Sequence, residues 1–500
     1  MLKRVLVANR GEIAVRIIRA CRELGVESVA VYSDADAHAQ HVALADRAVR
    51  LGPAAATESY LAIDRIIDAA RSTQADAIHP GYGFLSENPE LAEACERAGL
   101  TFVGPPWPVI ARMGSKIEAR SLMESAGVPV VPGEAPEDQS DAGIQDAANR
   151  VGLPALIKAS AGGGGKGMRQ VTTSEGLLDA IRAARREALG AFSDGTLYVE
   201  RLIRDPHHVE VQILADAHGA VIHLFERECS VQRRHQKVIE ETPSPFVSPS
   251  LRDRMTSAAV TAARAAGYRN AGTIEFLVEA PGAGGEAQFY FLEMNTRLQV
   301  EHPITEAVVG VDLLHAQLQV AFGTPLPWTQ AALSQRGHAI EARIYAESPA
   351  RGFVPQAGSL LLYREPRMPG IRVDSGFAEG DVVSVHYDPL LAKVIAHAEN
   401  RDQAIRRLIA ALRGFPVLGI ETNVEFLIAI LEHPQFQAGN VDTAFLDRQT
   451  DALAAAARGE IPGAVRAALD AHARGSSAHS VPGSAPDWDP WSSLRRGTRM

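Results

Sequence analysis

Four of the six lysines in this chain lie in segments whose composition suits phosphate binding. The chain has 44 arginines beside these six lysines, so a lysine that persists suggests a place where the larger, planar guanidinium does not fit. Chance clustering is the alternative, and the neighbouring residues must decide between the two. The four segments are Met113-Gly-Ser-Lys116, Leu156-Ile-Lys158-Ala-Ser, Gly162-Gly-Gly-Gly-Lys166-Gly and Gln232-Arg-Arg-His-Gln-Lys237.

The glycine run at 162–167 is not a Walker A motif. That motif needs Lys and then Ser or Thr after its last glycine, whereas Met168 and Arg169 follow Gly167. A run without side chains can instead form a loop whose backbone N–H groups close over phosphates. A flexible surface linker is the alternative. Lys158, on an apolar strand just before the run, favours the phosphate-binding loop.

An acidic segment predicts a site for a hard cation. Strict strand alternation would put Phe289, Phe291, Glu293 and Asn295 on one face. A hairpin would then bring Glu275 alongside from the preceding strand. Carboxylate and amide oxygens are the ligands that Mg²⁺ prefers. Each acid alone is more typical of a solvated strand residue, but the three together favour a metal site.

The segment Arg297-Leu-Gln-Val-Glu-His-Pro combines an anion ligand with a candidate base. Arg297 can fork onto an anion, and Gln299 can donate or accept a hydrogen bond. Glu301 could take a proton if its surroundings raise its pKa. His302 suits a structural role in packing. The basic residues at 233–237 are a second anion patch or, taken alone, a solvated charge run.

Bulk composition excludes several classes of protein. With 46% hydrophobic and 22% charged residues, the 500-residue chain is typical of a soluble globular protein of several domains. A net charge of −10 argues against a nucleic-acid surface. No apolar run is long enough to span a membrane. Cys21, Cys95 and Cys229 show no metal-ligand spacing and suit a reducing, cytoplasmic location.

Residues 1–110 alternate strands with helices, which predicts a parallel sheet covered by helices. The first turn, Asn9-Arg-Gly11-Glu, has one glycine instead of the three of a dinucleotide fingerprint, which argues against NAD. Asn88 and Pro89 form a good start for a helix through Arg97. The predicted strands and first helix are Arg4–Ala8, Ser28–Tyr32, Ala75–His79 and Glu12–Leu24.

The rest of the chain divides into a strand-rich part, a mixed part and a tail rich in Ala, Gly, Ser and Pro. A hairpin tip is predicted at 281–285, and a weak helix followed by a flexible linker at 454–484. The predicted strands are Tyr198–Arg201, Val209–Leu214, Thr273–Val278, Phe289–Asn295, His338–Tyr345, Ser359–Tyr363 and Leu390–His397, and the predicted helices are Arg401–Leu412 and Glu425–Leu431.

The order of these motifs resembles the ATP-grasp family, and more narrowly biotin carboxylase. The narrower likeness rests on Ala8-Asn-Arg-Gly-Glu-Ile-Ala, His79-Pro-Gly-Tyr-Gly-Phe-Leu-Ser-Glu-Asn and His338-Ala-Ile-Glu-Ala-Arg-Ile-Tyr-Ala-Glu. It covers residues 1–447. The resemblance implies a fold that combines α/β and α+β parts. Its domains would be a Rossmann-like pre-ATP-grasp domain (1–112), an ATP-grasp domain (113–335) with a mobile lid at about 130–205, a C-terminal biotin carboxylase domain (336–447) and a flexible tail (448–500).

The resemblance also implies a role for each residue of the site. ATP would be bound by Lys116, Lys158, Gly163, Gly164, Gly165, Lys166, Gly167, Met168, Glu200, Arg201, Ile203, His208, Gln232, His235 and Leu277. Mg²⁺ or Mn²⁺ would be held by Glu275, Glu293 and Asn295. Bicarbonate would be held by Lys237, Arg297, Gln299, Val300 and Glu301, and biotin by Tyr82, Gly83 and Arg343. The catalytic residues would be Glu301 as general base, Arg297, Lys237, and Arg343 as stabiliser of the biotin enolate.

Two departures from the family pattern stand out. Arg201 occupies a position where Lys is common, and the connector at 280–288 is longer than in plain biotin carboxylases. The first is tolerable if only the backbone of Arg201 serves adenine.

The implied activity is the first half-reaction of an acyl-CoA carboxylase, in which ATP and bicarbonate form carboxyphosphate and biotin is carboxylated. The alternatives are another ATP-grasp ligase, of the carbamoyl-phosphate or purine-pathway type, and a non-catalytic ATP-binding regulatory protein. The segments at 383–393 and 438–443 resemble propionyl-, methylcrotonyl- or mixed acyl-CoA carboxylases.

The expected partners are a biotin carboxyl carrier protein and carboxyltransferase subunits, and a homodimer is compatible with the resemblance. The sequence contains no Ala-Met-Lys-Met type segment, which is where a carrier holds biotin. The last residues, with Trp488 and Trp491, resemble the stretch that follows the carboxylase region in longer α chains. We therefore expect the biotin to be carried by another polypeptide, and the tail to help dock it.

Overall fold

Five short strands near the N-terminus pair side by side in a parallel sheet. The computed structural model describes residues 3–160, 167–281 and 286–457. The strands are β1 (Arg4–Val7), β2 (Glu27–Ser33), β3 (Arg47–Gly52), β4 (Ala77–His79) and β5 (Thr101–Phe102), and the helices between them are α1 (Gly11–Glu23), α2 (Gln40–Leu44), α3 (Ile63–Ser72) and α4 (Pro89–Arg97). Their order is β3-β2-β1-β4-β5. The predicted parallel sheet is confirmed.

Local sequence explains where these elements begin. Val5, Leu6 and Val7 of β1 are fully buried, as expected for a central strand covered on both faces. Asn88 caps α4 by accepting a hydrogen bond from the Leu91 N–H at 3.0 Å. Two further helices, α5 (Trp107–Gly114) and α6 (Lys116–Ser125), lead into the next part of the chain.

A small antiparallel sheet follows, with its own hydrophobic core. Its strands are β6 (Gly133–Glu134), β7 (Ala155–Ala159), β8 (Arg169–Val171) and β9 (Leu197–Arg201), and the helices α7 (Asp141–Val151) and α8 (Leu177–Phe192) pack on it. The order is β6-β9-β7-β8. The β7–β8 connection contains 161–166, so the predicted lid residues Gly163, Gly164, Gly165 and Lys166 lie outside the described residues.

The remaining elements build the larger part of the structure. The next strands are β10 (His207–Ala215), β11 (Val221–Arg233), β12 (Gln236–Thr242), β13 (Asn270–Glu279), β14 (Gln288–Asn295) and β15 (His338–Tyr345). Those that follow are β16 (Glu347–Ser348), β17 (Val354–Pro355), β18 (Gly358–Ser359), β19 (Leu362–Tyr363), β20 (Ile371–Ser375), β21 (Val382–Val383), β22 (Leu390–Ala398) and β23 (Val417–Leu418). The helices are α9 (Pro249–Ala266), α10 (His302–Val309), α11 (Leu313–Ala321), α12 (Arg401–Arg413), α13 (Val424–Glu432), α14 (Pro434–Gln437) and α15 (Phe445–Ala456).

Eight of these strands form one antiparallel sheet in the order β14-β13-β10-β11-β12-β15-β22-β20. β12 pairs directly with β15, with Ile239 opposite Ala342. The sheet therefore runs across residue 335, where the sequence predicted one domain to end. Side chains from both parts, including Ile239 and Ile340, share one hydrophobic cluster.

The predicted alternation along β14 is wrong at one point. The register with β13 shifts between Glu275 and Phe276, which pair with Glu293 and Phe291, so Leu292 is an extra residue on β14. Such a bulge reverses the faces on either side of it. Phe289 and Phe291 consequently pack in the core with Phe276, whereas Glu293 lies on the opposite face, beside Glu275.

Two further predictions about the C-terminal part need correction. The predicted strand Ser359–Tyr363 is broken into the short strands β18 and β19, which pair with different partners. Helix α15 continues past Asp447, where a flexible tail was predicted to begin, because Leu446 and Leu453 are buried. Residues 458–500 lie outside the described part. No helix within the described ranges is long and apolar enough to cross a membrane.

Candidate active site

Lys237, near the start of β12, is the centre of a buried charge cluster. Its ammonium contacts Glu210 at 2.6 Å, Glu275 at 2.9 Å and Glu301 at 2.7 Å. Burial acts to lower the pKa of Lys237, but the neighbouring acidic groups raise it well above its usual value. Each of these carboxylates has a second basic partner, which is Arg227 for Glu210, His208 for Glu275 and Arg343 for Glu301.

A tight turn brings Lys237 to this place. Strand β11 reverses into β12 through Arg234 and His235, whose φ angles are +49° and +65°. Two consecutive residues in the left-handed region are typical of the turn that fits a twisted hairpin. The turn puts Lys237 opposite Gln232 on the neighbouring strand.

Glu301 is fully buried immediately before α10 and is held from two sides. Oε1 faces Lys237, and Oε2 accepts a hydrogen bond from Arg343 at 2.9 Å. Burial would raise the pKa of Glu301, but Lys237, then Arg343 and Arg227, hold it well below its usual value. From the sequence, we expected Glu301 to act as a base only if its surroundings raise its pKa. The surroundings act in the opposite direction in this arrangement, so Glu301 is an anion able to accept a proton.

Arg297 and Gln299 extend the cluster. Arg297 donates to Gln299 Oε1 at 2.7 Å and to Asn295 Oδ1 at 3.0 Å. Its Nε donates at 3.0 Å to Glu87 in the N-terminal part of the chain. Gln299 donates in turn to Glu275 Oε1 at 3.0 Å. The predicted bicarbonate ligands are thus joined to the predicted metal ligands.

The three predicted metal ligands lie together on adjacent strands. Glu275 pairs with Glu293 in register, and Asn295 donates to Glu275 Oε1 at 2.9 Å. Burial raises the pKa of Glu293, and the negative charge of Glu275 adds to the effect. A divalent cation would relieve this repulsion. The donor set, two carboxylates and an amide oxygen, fits Mg²⁺ or Mn²⁺.

Lys116 and Lys158 lie near each other and near the carboxylates of Glu293 and Glu200. Lys158 contacts Glu200 at 2.9 Å. Burial lowers the pKa of Lys116, and the charge of Lys158 lowers it further, while Glu293 and Glu200 partly oppose this. Bound phosphate would stabilise both ammonium groups, so their proximity is a mark of an anion site.

Two of the predicted adenine and ribose residues, His208 and Gln232, lie beside the proposed metal ligand Glu275. His208 contacts Glu275 Oε2 at 2.8 Å and Gln232 Oε1 at 3.5 Å. Arg201, the departure from the family pattern, pairs with Glu279 at 2.9 Å, so its guanidinium already has a partner. The remaining members are on neighbouring elements: Ile203 after β9, Leu277 on β13, His235 in the β11–β12 turn, and Gly167 with Met168 before β8.

The predicted biotin residues lie on the far side of Glu301. The Tyr82 hydroxyl donates a hydrogen bond to Glu12, and Asn9 donates to the Tyr82 carbonyl at 2.7 Å. Gly83 has φ +67°, a conformation that favours glycine. Arg343 contacts Glu240 at 2.5 Å as well as Glu301.

Sequence reasoning missed several members of this site. Glu210 binds Lys237 and is fully buried against Arg227, yet the sequence did not predict a role for it. Glu12 and Lys393 join the biotin side to the loop before Glu301. The only available signal for Lys393 was that it survives in a chain that strongly prefers arginine.

Comparison with known families decides the relationship. The biotin carboxylase N-terminal domain matches residues 1–110, the ATP binding domain of the carbamoyl-phosphate synthase L chain matches 115–329, and the biotin carboxylase C-terminal domain matches 341–448. The biotin carboxylase of Halalkalibacterium halodurans is 50% identical over 452 residues, which are 89% of this chain and 97% of that protein. This chain belongs to the biotin carboxylase family.

Similar proteins include a subunit that is longer than this chain and two biotin carboxylases of known structure. The mitochondrial methylcrotonoyl-CoA carboxylase subunit alpha of Rattus norvegicus is 49% identical over 446 residues, or 89% of this chain, which spans 62% of that subunit. The biotin carboxylase domain dimer of Hydrogenobacter thermophilus 2-oxoglutarate carboxylase, solved with MgADP, ADP and bicarbonate, has a TM-score of 0.86 and 42% identity, covering 91% of this chain and 99% of that one. The biotin carboxylase of Campylobacter jejuni, solved as a β,γ-ATP complex, has the same score and identity and covers 90% and 99%.

Proposed function

We propose that this chain is a biotin carboxylase that uses ATP and bicarbonate to carboxylate biotin on a partner protein. One observation carries the proposal. Lys237, Arg343 and Glu301 meet in a buried cluster between the lysine pair at one end and Tyr82 at the other. This order matches the order of the chemistry, which runs from phosphate through bicarbonate to biotin.

The phosphate end would activate bicarbonate, which is a poor electrophile. Lys116 and Lys158 would hold the ATP phosphates, and Glu275, Glu293 and Asn295 would hold Mg²⁺ or Mn²⁺. The bound cation would supply neutralisation of the charge on the phosphates. The product, carboxyphosphate, hydrolyses readily, so the glycine-rich segment at 162–167 would have to exclude water over it.

The central part would bind bicarbonate and remove its proton. Lys237 and Arg297 would hold the anion, with Gln299 and the backbone of Val300 beside them. Glu301 would accept the proton, because it is an anion within this cluster. Transfer of phosphate to the deprotonated oxygen would then be a matter of position and charge stabilisation.

The biotin end would finish the half-reaction. Carboxyphosphate would break down to CO₂ and phosphate, and this phosphate would take the proton from the ureido nitrogen of biotin so that CO₂ can add there. Because this nitrogen is almost non-acidic, a cation at the ureido oxygen would stabilise the enolate as it forms. Arg343 would supply this cation, and Tyr82 with Gly83 would border the ring.

The partner that carries biotin would be a separate carrier protein, working with carboxyltransferase subunits. Lys393 is fully buried, so a biotinylating enzyme cannot reach this lysine. A homodimer and a cytoplasmic location belong to the same proposal, as does the docking of the carrier on the tail at 448–500. The acyl-CoA would be chosen by the transferase.

The decisive test is whether ADP release depends on bicarbonate and on free biotin. A biotin carboxylase needs bicarbonate, is accelerated by free biotin and forms carboxybiotin from labelled bicarbonate. Another ATP-grasp ligase would release ADP with a different carboxylate or amine and ignore biotin. An ATP-binding regulatory protein would bind nucleotide without releasing ADP, and either result would refute the proposal.

A further inference from the structure

Lys393 joins parts of the molecule that are far apart in sequence. It lies on β22 and is fully buried. Its ammonium donates to the Val300 carbonyl at 2.7 Å and contacts Glu12 Oε1 at 3.2 Å. Val300 stands directly before Glu301, and Glu12 lies in the first turn of α1. One side chain therefore connects the first helix, the loop before α10 and the large sheet.

The two contacts of Lys393 link it to the proposed biotin pocket, through Glu12, and to the proposed bicarbonate site, through Val300. Glu12 accepts a hydrogen bond from the Tyr82 hydroxyl. On the other side, β15 places Arg343 opposite Lys393 in register, and Arg343 binds the Glu301 side chain at 2.9 Å. The backbone before Glu301 and its carboxylate are thus held by neighbouring residues of one sheet.

An ordinary buried ion pair would not explain this arrangement. Two buried acids of the same sheet, Glu341 and Asp374, act on the charge of Lys393, but Asp374 is 3.9 Å from the Lys393 ammonium and is already bound through two hydrogen bonds, of 2.9 and 2.7 Å, by Arg372. The short contacts of Lys393 are instead with Glu12 and a backbone carbonyl. A cation that only had to balance charge would not need to reach that carbonyl.

We propose that Lys393 is a positioning residue that sets the distance between the Tyr82 side of the biotin pocket and the Val300–Glu301 loop, and thereby couples bicarbonate activation to biotin carboxylation. The inference rests on the proposed function and adds a residue to it. Lys393 contacts neither phosphate nor metal ligand, so its effect passes through Glu12 and Val300.

The expected consequence is a loss of coupling. Lys393→Met keeps an unbranched, apolar side chain that is one atom shorter, but both contacts are lost, and Tyr82 and Glu301 are free to shift relative to each other. A misplacement of about 1 Å can cost about 10²-fold in rate. Carboxyphosphate formed at Glu301 would then decompose before reaching biotin, so less carboxybiotin would form for each ADP released.

The methionine variant need not unfold. Burial already raises the pKa of Glu12 despite the presence of Lys393. Without the ammonium, this carboxyl can take up a proton and keep its hydrogen bond to Tyr82. The double variant Lys393→Met/Glu12→Gln removes the remaining charge and serves if the single variant does not fold.

The experiment compares three quantities in the whole chain: carboxybiotin formed per ADP, bicarbonate-dependent ADP release, and KM for ATP. The lysine variants should lose about tenfold or more in the first quantity, with KM for ATP unchanged. The matched control is Arg252→Met, which breaks the buried pair with Glu226 at 2.7 Å, remote from the site. It should lose thermal stability but keep full coupling.

Each outcome decides between the proposals. Folded lysine variants with normal coupling, or a loss of coupling equal to that of Arg252→Met, would overturn the role of Lys393. If neither lysine variant folds, Lys393 is a stability residue and the inference is wrong. A wild-type protein that releases no ADP with bicarbonate would instead refute the proposed function itself.

Discussion

The Lys237 ammonium lies 2.7 Å from Glu301 Oε1, so the proposed base and the cation that weakens it are in direct contact. Burial would raise the pKa of Glu301, and Lys237 and Arg343 reverse that effect. A bicarbonate ion that draws Lys237 to itself would remove part of this stabilisation. Glu301 would then become a stronger base at the moment its substrate is bound.

Replacement of Glu301 by glutamine should abolish most of the bicarbonate-dependent reaction. The amide keeps the size of the side chain but cannot take a proton, and loss of a general base costs about 10²–10⁴-fold in rate. KM for ATP should not change, because the phosphate ligands are elsewhere. Initial rates of ADP release measure both. The control is Glu432→Gln, which removes the carboxylate of an exposed ion pair with Arg413. Normal turnover in Glu301→Gln would exclude it as the base.

Arg343→Met should separate the two half-reactions. Carboxybiotin formation should collapse, while bicarbonate-dependent ADP release survives at high pH. Arg343 is also one of the cations that lower the pKa of Glu301. Removal of Arg343 raises the pKa of Glu301, so Glu301 becomes protonated at a higher pH than in the wild type. In the pH profile of ADP release, the fall in rate on the acid side should therefore shift to higher pH. Equal losses in both assays at every pH would show that Arg343 acts in the phosphate site or has a structural role.

Glu293→Gln should raise the concentration of Mg²⁺ or Mn²⁺ needed for half-maximal ADP release. The change removes one anionic oxygen ligand and relieves the repulsion that raises the pKa of Glu293 beside Glu275. Saturating metal should restore much of the rate. Titration with metal at fixed ATP gives the value. A variant with an unchanged metal requirement would show that Glu293 is not a ligand.

His41 should make the fold sensitive to mild acid. It is fully buried, and burial lowers its pKa from 6.5 to about 4. Between pH 6.5 and about 4, His41 binds a proton in the unfolded chain but stays neutral in the folded chain. The free energy of unfolding therefore falls as the pH falls. The shift corresponds to on the order of 3 kcal/mol. Thermal unfolding across this window should be less pH-dependent in His41→Gln than in the wild type.

The exposed neighbour His38 provides the control for that measurement. His38→Gln should keep the wild-type dependence on pH. Identical slopes in all three proteins would mean that His41 does not contribute to acid sensitivity.

The structure brings Glu275, Glu293 and Asn295 close together, as the sequence predicted. The alternation that was expected to put Phe289 and Phe291 on the same face as Glu293 is broken by the bulge at Leu292. Period-two reasoning fails there because one inserted residue reverses the faces. The parallel sheet was predictable, since each strand and helix carries its own apolar pattern.

Long-range partners could not be predicted in the same way. Glu12 and Lys393 are separated by most of the chain, and each has an ordinary local context in the sequence. The direction of the Glu301 pKa also depends on Lys237 and Arg343, which arrive from other strands. Burial alone would act in the opposite direction and raise this pKa.

The pairing of β12 with β15 limits how this protein can be divided or recombined. A truncation between the two strands, near residue 335, would strip β12 of the neighbour that satisfies its backbone groups along Ile239–Thr242. The fragment would expose an unpaired strand edge, which is a template for aggregation. Chimaeras that exchange modules between carboxylases should therefore keep residues 207–398 together.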